Sequence, residues 1–412
     1  MQANGRDERR QRAMAAIDEH AAEITDLAQQ IHDRPELGYE ERFASGLLVE
    51  ALRRHGMEVE APVGGVETAF RAVKHGGAGQ DEGEGPTVAV LAEYDALAGI
   101  GHGCAHNLIA ASGLASAIAL APLMEQLPGT FEVIGTPAEE GGGGKIRLID
   151  AGIFEGVDAS VMVHHAGDRT LAPQEYPGGT CLAITQLNFA FHGQPAHSAG
   201  DPWKGANALN GVIQLFNGID ALRQHVKPEA RIHGIITHGG DAVNVVPHRA
   251  SASIGIRAGS REYLETLVEQ VRRIAEGAAL MTGTTVEITQ PEATYLDERP
   301  SYVIGRRYTE NMRAAGMEIS PEKKERGSYS TDFGNVSYLI PAATGSFAIS
   351  HEAIPGHSQA VVEAACSGYG MQQMLKVSKA LALTALDLLT DPEMLAAAKD
   401  EHAHWTERYE QR

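Results

Sequence analysis

TVAVLAEYDALAGIGHGCAHNLIA (87–110) is the stretch that decides the fold of this chain. It begins with a continuous apolar run, TVAVLAEYDA (87–96), which is typical of a strand buried on both faces. A glycine-rich turn follows. The segment from Asn107 to about Leu120 is rich in Ala, Leu and Ile and predicts a buried helix. The stretch therefore predicts a buried strand that leads through a turn into a buried helix.

Further strands and helices alternate on both sides of this stretch. Helical periodicity covers residues 8–33 and 40–55. FEVIGT (131–136) and VDASVMVHH (157–165) predict two more strands, with a helix over 145–152 between them. Because strands that alternate with helices form a mostly parallel sheet, the predicted fold class is α/β with a parallel central sheet.

The pattern changes near residue 183. ITQLNFAFHG (184–193) alternates apolar and polar residues, as a half-buried strand does. Five later segments complete a strand–helix–strand–strand–helix–strand order: 206–225, 231–238, 250–257, 262–280 and 284–289. Buried strands and long helices return after residue 294. The sequence therefore predicts one domain formed by 1–182 and 294–412, with an inserted α+β lid domain at 183–293.

Composition narrows the class of protein. The chain has 412 residues, 54 acidic against 34 basic, and a net charge of −20, which argues against nucleic acid and anionic membranes as partners. We expect no apolar run close to the roughly 20 residues of a membrane span. The N-terminus lacks the apolar core of a signal peptide, so we expect a cytoplasmic protein. Because the chain has only three cysteines, an odd number, we do not expect a framework of disulfide bonds.

Potential metal ligands are concentrated in a few motifs at predicted strand ends. Thiolate, imidazole and carboxylate together form a ligand set for transition metals. Two adjacent glutamates add a group that could move a proton, which favours metal-assisted hydrolysis. The motifs are GHGCAHN (101–107), TPAEEGGGG (136–144), VMVHHAG (161–167) and IPGHSQ (354–359).

Each motif has a plainer alternative. Cys104 and His106 lie two residues apart in one turn, where they could reach one metal pair or be a buried cysteine beside a helix-capping histidine. Glu139 and Glu140 follow a buried strand, where two carboxylates repel each other unless a cation is near. The alternative for them is a solvated acidic turn.

The histidines are harder to rank. Either His164 or His165 is expected to bind metal, while the other packs or donates a supporting hydrogen bond. His357 lies in a Pro-Gly turn and is uninterpretable by itself. Three further histidines are ranked lower, as hydrogen-bonding or surface residues: His102, His192 and His351.

These residues, taken together, resemble the M20 family of metallopeptidases and amidohydrolases, in particular its aminoacylase-1-like-2 and aminobenzoyl-glutamate hydrolase branch. The resemblance covers nearly the whole chain, through these motifs in order: HDRPELGYEE, LAEYDALAGIGHGCAHNLIA, TPAEEGGGGK, VDASVMVHH, QPAHSAGDPWKGANALN, NVVPHRASASIGIRA, STDFGNVSYLIP and PGHSQ. It implies a zinc-peptidase-like catalytic domain and an inserted lid through which two subunits form a homodimer. Ala105 departs from the branch, which usually has glycine there.

The resemblance also implies residue roles. Glu139 matches the general base, and Asp95 matches an acidic residue that orients the site. The residues that match ligands of a two-metal site are Cys104, His106, Glu140, His164 and His357. The lid residues that match substrate-binding positions are His197, Asn244 and Arg257. In the family, the lid histidine commonly serves the site of the partner subunit.

The implied chemistry is hydrolysis of a small amide by two divalent ions per subunit, zinc or manganese, with cobalt or nickel also suitable. Glu139 would move the proton, and His197 would donate to the oxyanion. Arg257 would bind a substrate carboxylate, although a strand-surface ion pair is its plainer interpretation. The substrates implied are N-acyl amino acids, aminobenzoyl-glutamate-type amides and small dipeptides.

Three other classes of protein compete with this interpretation. A dinucleotide-binding oxidoreductase would need a third glycine at Cys104 to complete its phosphate-binding turn. A cysteine hydrolase using Cys104 and His106 would place nucleophile and base poorly, since they share one tight turn. A non-catalytic metal-binding or interaction protein would have no use for a second glutamate beside the first.

Overall fold

Helices and strands alternate along the chain, and the computed structural model describes residues 2–78, 84–171, 181–321 and 329–410. The α-helices are α1 (Gln2–Glu19), α2 (Ala21–Asp33), α3 (Arg42–Arg54), α4 (His106–Leu120), α5 (Gly144–Asp150), α6 (Ala208–Arg223), α7 (Arg261–Thr282), α8 (Tyr302–Ala314), α9 (Phe333–Leu339), α10 (Gln359–Ala365), α11 (Gly368–Thr390) and α12 (Pro392–Ala403). The strands are β1 (Glu58–Glu60), β2 (Phe70–His75), β3 (Thr87–Ala92), β4 (Thr130–Gly135), β5 (Ala159–His165), β6 (Ala183–His192), β7 (Arg231–His238), β8 (Arg249–Ala258), β9 (Thr285–Thr289) and β10 (Ala342–Phe347).

The chain divides into two compact units. The first unit comprises Met1–Gly178, Arg299–Arg326 and Asn335–Arg412, and the second comprises Gly179–Glu298 and Gly327–Gly334. These limits lie a few residues from the division at 182 and 294, and they add a short later segment to the second unit. The division into two separate domains stays a prediction, because compactness alone does not show that each unit folds by itself.

The first unit is built on a six-stranded sheet in the order β1-β2-β4-β3-β5-β10. Strands β4, β3, β5 and β10 run parallel, and β1 and β2 join antiparallel at one edge. Val90 in β3 lies opposite Val133 of β4 on one side and Val161 of β5 on the other. The prediction of an α/β fold with a mostly parallel central sheet is confirmed. After the half-buried Thr87, strand β3 is apolar and buried, because neighbouring strands and packed helices cover it.

Helix α4 is the central helix of this unit. All of its residues are buried, and it packs against α11, α2 and the sheet. The stretch His106–Gln126 is long and apolar enough to cross a membrane, so the expectation that no run approaches that length was wrong. Since 94% of an 18-residue segment within this stretch is buried inside the protein, the stretch has the character of a core helix.

The second unit is a four-stranded antiparallel sheet in the order β7-β8-β6-β9. Helices α6 and α7 cover one of its faces, and the strands alternate accordingly: Leu187, Phe189 and Phe191 of β6 are buried in the core of the unit. The Ser260 hydroxyl accepts a hydrogen bond from Tyr263 N at the start of α7. The predicted strand–helix–strand–strand–helix–strand order is confirmed.

Element limits shift in a few places. The helical periodicity over 8–33 belongs to two helices, because α1 ends at Glu19 and α2 begins at Ala21. His20 between them has φ −103° and ψ 13°, outside helical geometry, and its ring Nδ1 lies 3.0 Å from Ala16 O. No glycine or proline marks this break in the sequence, so periodicity alone predicts a single helix.

Candidate metal and active site

The ends of the parallel strands gather a group of polar side chains in the first unit. Open parallel sheets place their sites at the carboxyl ends of strands, where the loops diverge. We call this group the strand-end cluster; its members are Glu93, Asp95, Cys104, His106, Glu139, Glu140, His164 and His357. The segments after β3, after β4, at the end of β5 and after β10 supply them.

Potential ligand atoms in the strand-end cluster lie close together in overlapping groups. Within each of three sets these atoms are within 4.8 Å of one another: Cys104, His106 and His164; Cys104, Glu140 and His357; His106, Glu139 and Glu140. Cys104 Sγ is 3.6 Å from His164 Nε2, and His357 Nε2 is 3.5 Å from Glu140 Oε2. Ligands of one tetrahedral zinc ion are about 3.4 to 3.6 Å apart, given its usual bond lengths. The spacing therefore suits transition-metal ions.

Asp95 connects two of these side chains. His106 Nδ1 donates to Asp95 Oδ1 at 2.9 Å, and Glu140 N donates to Asp95 Oδ2 at 2.9 Å. The contact to Asp95 occupies Nδ1 and leaves Nε2 of His106 for another partner. His106 Nε2 and Glu140 Oε1 are both buried without a hydrogen-bond partner among the described residues. Buried polar atoms normally have a hydrogen-bond partner, and a bound cation would be a suitable partner for both of these atoms.

Electrostatics in the strand-end cluster follow from burial and opposite charges. Burial acts to lower the pKa of His106, but Asp95 and Cys104 outweigh it and raise that pKa well above its ordinary value. Burial acts to raise the pKa of Asp95, yet the nearby His106 lowers it. The cluster therefore favours a positive charge at the His106 position, which a proton or a cation can supply.

The two histidines at the end of β5 have different surroundings. His164 Nδ1 donates to His165 O at 2.9 Å, so His164 Nε2 is the nitrogen that faces Cys104. His165 stacks on His164 with ring centroids 5.0 Å apart, and its Nδ1 accepts a hydrogen bond from Gly167 N. Among the described residues, His165 belongs to none of the close ligand groups. The geometry thus places His164, rather than its neighbour, with the other candidate ligands.

Glu139 lies beside these ligands. Its Oε2 is 4.0 Å from His106 Nε2, and the residue is 7% exposed. Glu140 is bound through its backbone to Asp95, so the two adjacent glutamates are held differently. Glu140 lies beside His357, and Glu139 lies beside His106. This arrangement can separate a ligand role from a proton-transfer role.

Glu41 holds the loop before Glu139 and escaped the sequence analysis. It is fully buried, and its Oε1 accepts a hydrogen bond from Ala138 N at 2.8 Å while Oε2 accepts one from Thr68 Oγ1 at 2.8 Å. Burial raises the pKa of Glu41 to about 7. The motif HDRPELGYEE ends on Glu41, and that is the signal by which the residue could have been found.

Glu93 and Lys145 were also missed. Both side chains are fully buried, and Lys145 Nζ donates to Glu93 Oε1 at 2.6 Å. Burial acts to raise the pKa of Glu93, but Lys145 and His106 outweigh it and lower that pKa. Their sequence signal is weak, because a lysine at the start of a helix ordinarily lies on the surface.

Unusual backbone conformations gather around the same loops. Among the described residues, the non-glycine residues with positive φ are Tyr39, Ala105, Ala138 and His357. Ala105 separates Cys104 from His106 at φ +54°, which explains why a glycine suits this position. Tyr39 donates from its hydroxyl to Gly142 O at 2.6 Å. Each such residue costs about 1–2 kcal/mol of backbone strain, which clusters at functional sites.

In the second unit, backbone pairing brings two predicted residues together. Ser198 N donates to Asn244 O at 3.0 Å, and His197 forms an isolated bridge with Val245. His197 and Asn244 are both exposed. His197 Nδ1 accepts hydrogen bonds from Ala199 N and Gly200 N at 3.2 and 3.0 Å, so a neutral ring carries its proton on Nε2.

Arg257 lies in β8, half-buried. Its guanidinium donates to Ser330 Oγ at 2.8 Å, and burial lowers its pKa. It forms no ion pair with a carboxylate among the described residues, so the expected alternative of a strand-surface ion pair is absent there. A half-buried arginine that has no acidic partner within the described parts of the chain is suited to bind an incoming anion.

The lower-ranked histidines lie outside the close ligand groups of the described residues. His102 Nε2 is 3.1 Å from Ile31 O, and burial lowers its pKa to about 3. His192 and His351 are exposed. For Cys104, burial raises the pKa of the thiol, which makes it a poor nucleophile by itself and disfavours a cysteine hydrolase.

A separate group of potential ligands lies on the amino-terminal helices. It consists of His20, Glu23 and His55, all half-buried. Arg54 lies 3.2 Å from Glu23 Oε1 and already supplies that carboxylate with a positive charge. The group is therefore weaker as a cation site than the strand-end cluster.

Comparison with known proteins relates the second unit to one family and the whole chain to a set of hydrolases. A family model described as a peptidase dimerisation domain matches residues 183–282. An Xaa-Arg dipeptidase from Mus musculus is 37% identical, over 95% of this chain and 91% of the relative. A p-aminobenzoyl-glutamate hydrolase chain from Escherichia coli (strain K12) is 31% identical, over 95% of this chain and 94% of the relative.

A solved structure shows the same fold. It is the structure of a Bacillus subtilis protein described as a dinuclear metal-binding peptidase from the M20 family, and its comparison with this chain gives a TM-score of 0.69. The superposition covers 90% of this chain and 99% of that chain, at 19% sequence identity. At this identity the likeness concerns the fold, and the sequence relatives carry the argument about chemistry.

Proposed function

The chain belongs to the M20 family and is a metal-dependent amidohydrolase, and we propose that it cleaves small amides that bear a free carboxylate. The substrate classes are N-acyl amino acids, aminobenzoyl-glutamate-like amides and small dipeptides. The observation that carries the proposal is the strand-end cluster, in which Glu139 and Glu140 lie beside thiol and imidazole groups at ligand spacing.

The metal ligands in this proposal are Cys104, His106, Glu140, His164 and His357. Two divalent ions per subunit would supply the Lewis acidity that activates water and polarises an amide carbonyl. Mixed sulfur, nitrogen and oxygen ligands suit zinc, with manganese, cobalt or nickel as alternatives. Asp95 keeps His106 in one tautomer and holds the backbone of Glu140, so it positions both groups.

Glu139 is the general base of the proposed reaction. It takes a proton from the attacking water and delivers it to the nitrogen of the leaving amine. Its place beside His106, with Glu139 Oε2 4.0 Å from His106 Nε2, supports this role. His197 supplies the second proton-bearing group, since its Nε2 can donate to the oxygen that becomes negative.

Substrate recognition falls to the second unit in this proposal. Arg257 binds the free carboxylate through its guanidinium, and Asn244 donates or accepts at the amide. Relatives named for dipeptides with carboxyl-terminal arginine and for aminobenzoyl-glutamate both act on substrates with such a carboxylate. The lack of a described acidic partner for Arg257 supports the assignment.

We also propose a homodimer formed through the second unit. The peptidase dimerisation domain matched there indicates dimerisation. Strand β7 is one of the two edge strands of its sheet, and Ile235 and Ile236 are 65% and 47% exposed on it. An exposed apolar edge strand is suited to pair with another chain. In such a dimer, His197 could serve the site of the partner subunit.

The remaining proposals concern the setting of the protein. We propose a cytoplasmic location, because the sequence has three cysteines, an odd number spread far apart along the chain, and so lacks the disulfide framework typical of oxidising compartments. The net charge of −20 supports a protein that binds neither nucleic acid nor an anionic membrane.

The test is amine release from a substrate panel, measured by mass spectrometry. The panel contains Xaa-Arg dipeptides, other dipeptides, p-aminobenzoyl-glutamate and N-acyl amino acids, each with metal-loaded and with chelated protein. We expect release from one class that chelation abolishes and metal restores. Release that survives complete chelation would contradict the metal mechanism, and metal-loaded protein that cleaves no member of the panel would contradict the substrate class.

A further inference from the structure

The buried pair of Glu93 and Lys145 has an unusual feature at the strand-end cluster. Lys145 Nζ occupies only one carboxylate oxygen of Glu93, at 2.6 Å from Oε1. The other oxygen, Oε2, is buried and has no hydrogen-bond partner among the described residues. A buried anionic oxygen left in this way costs free energy, so a partner for it is expected.

The unpartnered oxygen faces the ligand nitrogen of His106. Glu93 Oε2 is 3.5 Å from His106 Nε2, and His106 Nδ1 is already occupied by Asp95. Two ligands of one tetrahedral cation lie about 3.4 Å apart for zinc–nitrogen and zinc–oxygen bonds. Both atoms also lack a hydrogen-bond partner in the described part of the chain. One cation between them would satisfy both.

The charges around Glu93 Oε2 and His106 Nε2 also favour a cation between these two atoms. Glu93 and Glu139 present potential ligand atoms within 4.8 Å of one another, and Asp95 is also buried nearby. The positive charge of Lys145 offsets the negative charge of one of these carboxylates. Several buried carboxylates at this distance repel each other unless further positive charge lies among them.

Another ion pair of the same sheet, with a buried carboxylate and a half-buried arginine, shows what a purely structural pair looks like. Arg71 Nε lies 3.0 Å from Glu132 Oε2 and Arg71 Nη2 lies 2.5 Å from Glu132 Oε1, so both carboxylate oxygens are bound. Glu132 is 1% exposed. The pair of Glu93 and Lys145 differs because one oxygen remains directed at His106.

We propose that Glu93 is a further metal-binding carboxylate, with Oε1 held by Lys145 and Oε2 contacting the cation at His106. This inference rests on the metal site of the proposed function. It assigns Lys145 a positioning role, since Lys145 orients the carboxylate and does not itself contact the cation.

The experiment measures Zn²⁺ affinity of the full-length protein by competition with a chromophoric chelator, for Glu93→Gln and the control Glu132→Gln. We expect Glu93→Gln to weaken Zn²⁺ binding by about 10- to 100-fold, the usual loss when a group supporting a metal site is removed. Glu132→Gln should leave the affinity unchanged, because Glu132 is bound on both oxygens by Arg71. Wild-type affinity in Glu93→Gln would overturn the inference.

Thermal unfolding separates metal binding from structure. For Glu93→Gln, we expect the rise in Tm on adding Zn²⁺ to be smaller than in the wild type, whereas Glu132→Gln should lower Tm equally with and without Zn²⁺. Should Glu93→Gln fail to fold, Glu93→Asp keeps the charge for Lys145 and withdraws the carboxylate by one methylene. Wild-type Zn²⁺ affinity in Glu93→Asp would then overturn the inference.

The outcomes distinguish this inference from the proposed function. A wild-type protein that binds no Zn²⁺ would contradict both. A wild-type protein that binds Zn²⁺ and loses it in Cys104→Ala, but not in either Glu93 variant, would leave the proposed function standing and refute the role of Glu93.

Discussion

In the first unit, the candidate functional side chains other than the exposed His357 are buried or half-buried and in contact with another polar group, whereas in the second unit His197 and Asn244 are exposed. His106 is held by Asp95, and the loop before Glu139 is held by Glu41. Preparation of this kind lowers the reorganisation needed during a reaction. Under the proposed function, the groups for the chemistry are therefore held in place within the first unit, whereas His197 and Asn244 remain exposed for contact with a substrate or a partner subunit.

The first prediction tests whether the chemistry resides in the first unit. Glu139→Gln should lower kcat by about 10²- to 10⁴-fold, because the proton carrier is lost while the shape of the side chain is kept. Bound metal, measured by mass spectrometry, should remain at the wild-type level. The exposed Glu125→Gln serves as control. Wild-type kcat in Glu139→Gln would show that another group moves the proton.

The second prediction tests recognition by the second unit. Arg257→Ala should raise KM about 10- to 100-fold for substrates with a free carboxylate, since a charged hydrogen bond is lost. Analogues with an amidated carboxyl group should lose little, because Arg257 has no anion to bind in them. The exposed Arg249→Ala on the same strand is the control. An equal rise in KM for free and amidated substrates would refute the assignment of Arg257.

The third prediction concerns the exposed edge of the second unit. Ile235→Lys should weaken dimerisation by at least about tenfold, because a charge replaces an apolar side chain on the pairing strand. Light scattering at a series of concentrations measures it. Leu339→Lys, another exposed apolar residue but in the first unit, should leave association unchanged. A dimer as tight as wild type in Ile235→Lys would move the interface away from β7.

The fourth prediction tests how closely the loop before Glu139 is packed. A Cβ at Gly38 would lie 2.9 Å from Ala138 Cβ, so Gly38→Ala should destabilise the protein by about 1–3 kcal/mol and lower activity. Gly46 in the exposed part of α3 has no atom within 4 Å of such a Cβ. Gly46→Ala should therefore stabilise by about 0.5–1 kcal/mol. Denaturant unfolding measures the free energy of unfolding of both variants. Stabilisation by Gly38→Ala together with destabilisation by Gly46→Ala would contradict the packing argument.

Local patterns were sufficient to predict much of the architecture. The buried strand over 87–92 and the alternating strand over 183–192 stand out because burial on two faces or one face imposes different patterns. The candidate ligands near Glu139 were predicted because their motif closely follows a buried strand, whereas β3 ends at Ala92, before the predicted limit at residue 96, and a longer turn separates it from Cys104. The pattern of the sequence therefore captures features that a short segment decides by itself.

Features that depend on distant contacts were not predicted. Glu93 and Lys145 are 52 positions apart in sequence, and only the fold makes them partners. Glu41 is bound by Ala138, which is 97 positions away. His357 was a candidate from its motif IPGHSQ, but its role as a ligand came only through the family resemblance, since a histidine in a Pro-Gly turn carries no chemical signal of its own. Which buried charges pair with each other depends on the three-dimensional fold, and hydrophobic periodicity along the sequence does not predict it.

The positive-φ residues around the strand-end cluster have a consequence for the life of the protein in a cell. Four strained positions lower the stability of the metal-free protein, and a bound cation raises it by preferring the native state. We therefore expect metal-starved protein to open more often and to be degraded faster by proteases. Metal supply would then set the amount of this protein in the cell as well as the fraction that is active.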